Sequence, residues 1–89
     1  LGLCKAGDAG RLIDEGEPAP GGRIPVNVSG ALLSNGHPLA ATGIANLYES
    51  STHLRREAGA RQVEGARLGL THVIGLGSAC AIHVLEKPA

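Results

Sequence analysis

The sequence predicts an α/β chain in the order strand, helix, and a terminal pair of antiparallel strands. Three observations carry this. Apolar residues recur at three- and four-residue intervals over residues 38–58. Two later runs, residues 67–74 and 79–85, are alternating or rich in small and β-branched side chains, and a glycine-bearing loop, GLGS, separates them.

Taken in order, residues 7–15 hold helix-compatible side chains behind Asp8, which predicts a short capped helix. The following GEPAPGG stops any regular element, so residues 1–22 read as a connecting segment with a short helix, and residues 23–89 as the domain portion. Residues 23–29 place Ile24, Val26 and Val28 on alternate positions, which predicts a short strand. Pro25 lacks an amide hydrogen and suggests an edge or an irregular start. Over residues 38–58, Ile44, Leu47, Tyr48, Leu54 and Ala58 form one helical stripe, with Arg55 and Arg56 in the final turn and Gly59 just beyond. Leu68, Leu70, His72 and Ile74 share one face of the first terminal strand. No internal repeat or low-complexity tract is present.

Composition excludes some functions. Eight basic and eight acidic side chains cancel, so no net field draws the chain toward nucleic acid or a membrane surface. No apolar run approaches the roughly 20 residues of a membrane span, and no charged-then-apolar leader opens the chain. A cytoplasmic location is the default expectation. Cys4 and Cys80 match no metal or redox spacing, so reduced thiols and no metal centre are expected. The absence of Met, Phe and Trp removes the largest apolar side chains from any core, and a domain of this size buries only about 60–65% of its unfolded surface. Stability in isolation is therefore expected to be low. Leu1 in place of an initiating methionine fits a piece of a larger protein.

The chemistry concentrates in NVSGALLSNGHPLAATG, residues 27–43. Pro38 fixes its own φ and has no amide hydrogen, which suits the first position of a helix, so His37 is expected at a helix N-terminus. The positive end of the helix dipole disfavours an imidazolium there and keeps a ring able to accept a proton. Asn35 and Gly36 permit a tight, positive-φ turn that carries the ring toward a cleft. On spacing alone, a plain helix-capping role for His37 outweighs a role as general base.

Asn27, Ser29 and Gly30, then Gly36, His37, Pro38, Ala41, Thr42 and Gly43, resemble the asparagine-x-serine-glycine-glycine and glycine-histidine-proline-x-glycine-alanine-threonine-glycine signatures of the thiolase superfamily. The stretch THVIGLGSACAIHVLE, residues 71–86, resembles the late glycine-rich loop and last strand of sterol-carrier-type thiolases and related bacterial and archaeal acyltransferases. Two separated motifs in the right order form a specific signal that covers nearly the whole chain.

The resemblance implies the C-terminal portion of a layered α/β/α domain, in which the strand of residues 23–29 lies parallel inside a sheet completed elsewhere in the protein. It also implies that a cysteine from another part of the protein attacks a thioester. The histidine matched by His37 then activates that cysteine and later helps to bind an enolate oxygen. Gly75 falls where the family's late loop offers a backbone amide to an oxyanion; a plain hairpin turn is the alternative for Gly75 and Gly77. Coenzyme A would enter as part of the substrate, with no permanently bound cofactor, and dimers or tetramers are usual in the family.

Departures from the family pattern matter. Val73 stands where many thiolases carry an acid/base cysteine and cannot transfer a proton, which favours the sterol-carrier type or a relative with altered chemistry. Ala31 and Ala40 replace signature glycines, each adding a methyl where backbone packs or approaches substrate. His72 reads as a packed strand residue, His53 as solvated, His83 as a strand residue without a role, and Cys80 as a buried, inert thiol. Asn27 reads equally as a brace for the histidine loop or as a turn residue.

Three activities are consistent with this reading. The first is an acyltransferase acting on acyl-coenzyme A by Claisen chemistry, with His37 as base. The second is a retro-aldol lyase on side-chain coenzyme A esters. The third is a non-catalytic module that binds a small OB-fold, zinc-ribbon partner.

Overall fold

Backbone hydrogen bonding in a computed structural model, which describes residues 2–75 and 77–88, divides the chain into five regular elements and one 3-10 turn. Helix α1 spans Ala9–Asp14, α2 spans Ala31–Asn35, and α3 spans Thr42–Leu54. A 3-10 turn at Gly59–Arg61 leads to strand β1, Leu68–Gly75, and strand β2, Ala79–Glu86. The strands pair antiparallel from Leu68 opposite Glu86 to Gly75 opposite Ala79, and α3 packs on β1. The chain is α/β, with the helix and the terminal strand pair in the expected order. Leu76, part of the GLGS loop, lies outside the described residues.

The expected strand at residues 23–29 does not form. Ile24 N donates to Glu17 O at 2.9 Å and Val26 N to Pro18 O at 3.0 Å, so this stretch folds back on the GEPAPGG loop. Glu17 N is taken by Leu12 O at 3.3 Å and Pro18 has no amide hydrogen, so neither residue returns a ladder bond. A Cβ at Gly22 would overlap the Glu17 carbonyl oxygen, so a glycine is required where the loop closes. An Arg23–Glu17 ion pair braces the same closure. Asp8 does precede α1, but its side chain makes no capping bond.

Helix α3 is shorter than the periodicity suggests at both ends. Pro38 opens a turn instead of the helix: its carbonyl accepts from Ala41 N and Thr42 N, each at 3.1 Å. Ala40 takes φ +66°, a left-handed conformation that interrupts helical continuity and delays the start to Thr42. At the other end Glu57 N bonds Thr52 O at 2.9 Å and Arg56 N bonds His53 O at 3.0 Å. These are the paired bonds of a Schellman motif, with Arg56 at φ +62° in the left-handed position that glycine usually takes. The Arg56→Gly variant is therefore expected to be more stable by about 0.5–1 kcal/mol, seen as a higher urea midpoint. Gly59 opens the 3-10 turn and does not end the helix.

The face that packs is set by small residues. On β1 the inward positions are Gly69, Thr71 and Val73, while Leu68, Leu70, His72 and Ile74 point away and are exposed. A Cβ built on Gly69 would lie 3.3 Å from Ser50 Cβ and 3.9 Å from Leu54 Cδ1, so the bare α-carbon lets strand and helix approach. The apolar stripe of α3 is correspondingly split. Leu54 and, beyond the helix, Ala58 are buried, but Ile44 and Tyr48 are 67% and 69% exposed.

A polar cluster closes the C-terminal end of α3. His53, expected to be solvated, is buried. Its Nδ1 accepts from Val63 N at 3.1 Å, so its ring hydrogen sits on Nε2, which donates to Glu49 Oε1 at 3.0 Å. Arg61 grips the same carboxylate through Nε at 2.6 Å and Nη2 at 3.0 Å. Gln62 completes the clasp by donating to the carbonyls of His53 and Val63 and accepting from Ala58 N.

The hydrogen bonds from Arg61 hold the Glu49 carboxyl below the usual carboxylate range; partial burial opposes this and the His53 bond adds to it. A folded-state value below the unfolded one gives stability that is complete above about pH 5 and is lost as pH falls through the ordinary value near 4.3 and below it. The urea midpoint is expected to drop between about pH 5 and 3. Glu49→Gln should flatten that part of the profile.

Candidate functional site

His37 lies in the loop between α2 and α3, which the preceding motif shapes. Asn27 at φ +54° and Gly30 at φ +94° turn the chain, with Gly30 N on Asn27 O at 3.0 Å. Asn27 thus takes part in a turn through its backbone. Ser29 Oγ accepts from Ala31 N at 3.3 Å, and Asn35 Nδ2 donates to Ser29 O at 3.2 Å, tying the two ends of α2 together. That short helix was not expected from the sequence. Gly36 then turns at φ +78° and presents His37 at the surface.

His37 is not itself at a helix N-terminus, so the helix-dipole argument made from Pro38 loses its basis. The ring is instead anchored by a side chain of the helix. His37 Nδ1 is 2.7 Å from Thr42 Oγ1, and Thr42, the first residue of α3, is 7% exposed. The Thr42 hydroxyl also lies 3.2 Å from Pro38 O, to which it donates.

Ala31 and Ala40, the two replacements of signature glycines, both adopt positive φ, at +54° and +66°. Each carries a Cβ in a conformation that glycine adopts without strain. Restoring glycine with Ala40→Gly is expected to raise stability by about 0.5–1 kcal/mol, read from the urea midpoint.

Gly75 ends β1 opposite Ala79, and its carbonyl accepts from Ser78 N at 3.1 Å. Gly77 takes φ +77°. These bonds are those of a hairpin turn. Among the described residues no hydrogen bond joins His37 to Gly75. What lies between the two motifs is a groove of about 290 Å³ separating the N-terminal half of α3 from the inner face of the strand pair. Ala40 of the histidine loop, Gly43, Asn46 and Leu47 line one side, and Thr71, Val73, Ala81 and His83 line the other. Its polar wall is Thr71 Oγ1 beside His83 Nδ1 at 3.4 Å.

The other candidates sort plainly. His72 is exposed on the outward face of β1 and is not packed. Cys80 is also exposed, opposite Ile74 on that face, which corrects the expectation of a buried thiol. Cys4 is a free, exposed thiol. Among the described residues no three His, Cys, Asp or Glu side chains gather as a metal site, and no helix is long and apolar enough to cross a membrane. Thr42, Thr71 and the His53 cluster were not singled out from the sequence. Thr42 sits inside the motif, but its contact depends on a turn whose shape the residues alone do not declare.

A family profile described as thiolase C-terminal domain-like matches residues 1–87. Sterol carrier protein 2 of Bos taurus is 50% identical over 82 residues, which is 92% of this chain and 15% of that protein. An acetyl-CoA acetyltransferase of Methanothermobacter thermautotrophicus is 49% identical over 88 residues, 98% of this chain and 23% of the relative. A benzoylsuccinyl-CoA thiolase subunit of Thauera aromatica is 37% identical over 78 residues, 86% of this chain and 20% of the relative. The chain thus spans between about a seventh and a quarter of the length of these relatives. With the signature residues, the α/β order and a match along almost its entire length, this chain belongs to the thiolase C-terminal domain-like family.

Proposed function

We propose that this chain serves as the C-terminal part of a thiolase-like acyltransferase that acts on acyl-coenzyme A thioesters, with His37 as general base. The observation that carries the reading is the exposed His37 ring, held through Nδ1 by Thr42 within the family's glycine-histidine-proline motif. The acetyl-CoA acetyltransferase relative, matched over 98% of the chain, supplies the reaction class.

In this reading a cysteine from outside these 89 residues loses its proton to His37 and attacks the thioester carbonyl, forming an acyl-cysteine as the bond to coenzyme A breaks and its thiol leaves with that proton. Thiols suit the task because the thiolate is strongly nucleophilic and also a good leaving group. The Gly75 amide would donate to the oxyanion of the tetrahedral intermediate, a role for which one preorganised donor lowers the barrier by about 3 kcal/mol. His37 would then help to hold the enolate oxygen when the carbon–carbon bond forms or breaks. Acyl-coenzyme A is the substrate, the protein assembles as a homo-oligomer, and the location is cytoplasmic.

Val73 favours a second reading, because the position carries no proton-transferring cysteine. A retro-aldol lyase on a side-chain coenzyme A ester would cleave its substrate without taking up free coenzyme A. Incubating the complete protein, with free coenzyme A present, with a β-ketoacyl-coenzyme A and in parallel with a β-hydroxyacyl-coenzyme A separates the two. The acyltransferase reading expects consumption of free coenzyme A and two acyl-coenzyme A products; cleavage of an aldol substrate without coenzyme A uptake would replace it. Capture of a small OB-fold, zinc-ribbon protein by a catalytically silent full-length chain would support the interaction-module reading instead.

A further inference from the structure

We infer that Thr42 is a positioning residue that holds His37 as the Nδ1–H tautomer and leaves Nε2 as the unprotonated ring nitrogen. A threonine hydroxyl has one hydrogen to donate and lone pairs to accept with. Thr42 Oγ1 touches two partners, Pro38 O at 3.2 Å and His37 Nδ1 at 2.7 Å. The Pro38 carbonyl, which also accepts from Ala41 N and Thr42 N, has no hydrogen to give, so in its contact with the hydroxyl the hydroxyl is the donor, in the back-bond to the preceding turn that threonine commonly makes. His37 Nδ1 must then supply the hydrogen for the shorter contact. A neutral imidazole that carries its hydrogen on Nδ1 has its lone pair on Nε2.

Burial fixes the anchor while the ring remains accessible. Thr42 is 7% exposed at the first position of α3, whereas His37 is exposed. A thiol proton delivered to Nε2 yields thiolate and imidazolium, while the Nδ1 hydrogen stays on the ring, hydrogen-bonded to Thr42 Oγ1 throughout. The link to catalysis rests on the functional reading above, but the tautomer does not.

Long-range proton–nitrogen NMR correlations of the complete protein, nitrogen-labelled at histidine, at mildly alkaline pH read the tautomer directly, with His37 assigned by its loss in His37→Gln. The expected pattern is a pyrrole-like Nδ1 and a pyridine-like Nε2, kept in Thr42→Ser and shifted toward the opposite tautomer in Thr42→Val. A pyridine-like Nδ1 in the unmodified chain would show that the hydroxyl donates to the ring and would overturn the inference, as would an unchanged pattern in folded Thr42→Val. In the complete protein, Thr42→Val is expected to lower kcat for thiolysis by about 10–100-fold, the range seen when the partner that orients a metal-bound imidazole is removed, and Thr42→Ser should restore it. Absence of thiolysis in the unmodified protein would remove the functional reading and leave the tautomer result intact.

Discussion

Replacing His37 with alanine in the complete protein is expected to lower kcat for thiolysis of a β-ketoacyl-coenzyme A by about a thousandfold, the middle of the range for loss of a general base. The basis is chemical. A thiol at neutral pH is only partly ionised, and without an acceptor nearby its attack on the β-keto carbonyl, which expels the acetyl-coenzyme A enolate, waits on the minor thiolate fraction. His37 is exposed and, among the described residues, its one side-chain hydrogen bond is to the neutral Thr42, so its removal leaves no buried partner charge behind. Circular dichroism of the variant should therefore match the parent. Retention of thiolysis within about tenfold of the parent would remove His37 from the role.

The second large effect is on stability. Leu54→Ala is expected to cost about 2–4 kcal/mol, measured by urea unfolding. Leu54 and Ala58 are the only buried apolar side chains among the described residues, and Leu54 Cδ1 fills the space under the bare α-carbon of Gly69. Truncation leaves a cavity where the helix crosses the strand, and no neighbouring aromatic can swing in, since the chain has one tyrosine and no Phe or Trp. Ile13, 64% exposed on α1, is the control: alanine there should change stability by less than about 0.5 kcal/mol.

These two sites show how far the residues speak for themselves. Helix α3 and the terminal strand pair were legible because their patterns run long enough to average over exceptions. Residues 23–29 show the same alternation, yet alternation records only which side chains lie on one side. It cannot say whether a second backbone is there to complete the ladder, and here the Glu17 and Pro18 carbonyls accept bonds while the Glu17 amide turns to Leu12 O and Pro18 has none to give.

The start of α3 was misplaced for a related reason. Pro38 has a φ that suits a helix and a turn equally, and the left-handed Ala40 that decides between them is invisible to propensity, since alanine is the best helix former. The face of β1 that packs is not the one that carries its larger apolar residues, which the alternation alone does not decide. Gly69, Thr71 and Val73 pack instead, because a close helix crossing favours small side chains.

The site divides in the same way. His37 and Gly75 were named from local motifs, which survive in a linear reading. Thr42 and the clasp of Glu49, His53 and Arg61 depend on chain segments that meet only after folding, and their residue types are ordinary. The left-handed alanines at 31 and 40 carry a different lesson. Both hold a positive φ that glycine adopts without strain, and nothing in an alanine's propensity announces it.

The central claim is that this domain serves covalent acyl transfer. It is tested most directly by intact-mass spectrometry of the complete protein after brief exposure to acetyl-coenzyme A, with released free coenzyme A quantified in the same sample. The account predicts the mass gain of one acetyl group on a cysteine outside these residues, matched by an equal amount of free coenzyme A, and a strongly slowed gain in His37→Ala. An unmodified mass with no coenzyme A released, from folded protein, would contradict it.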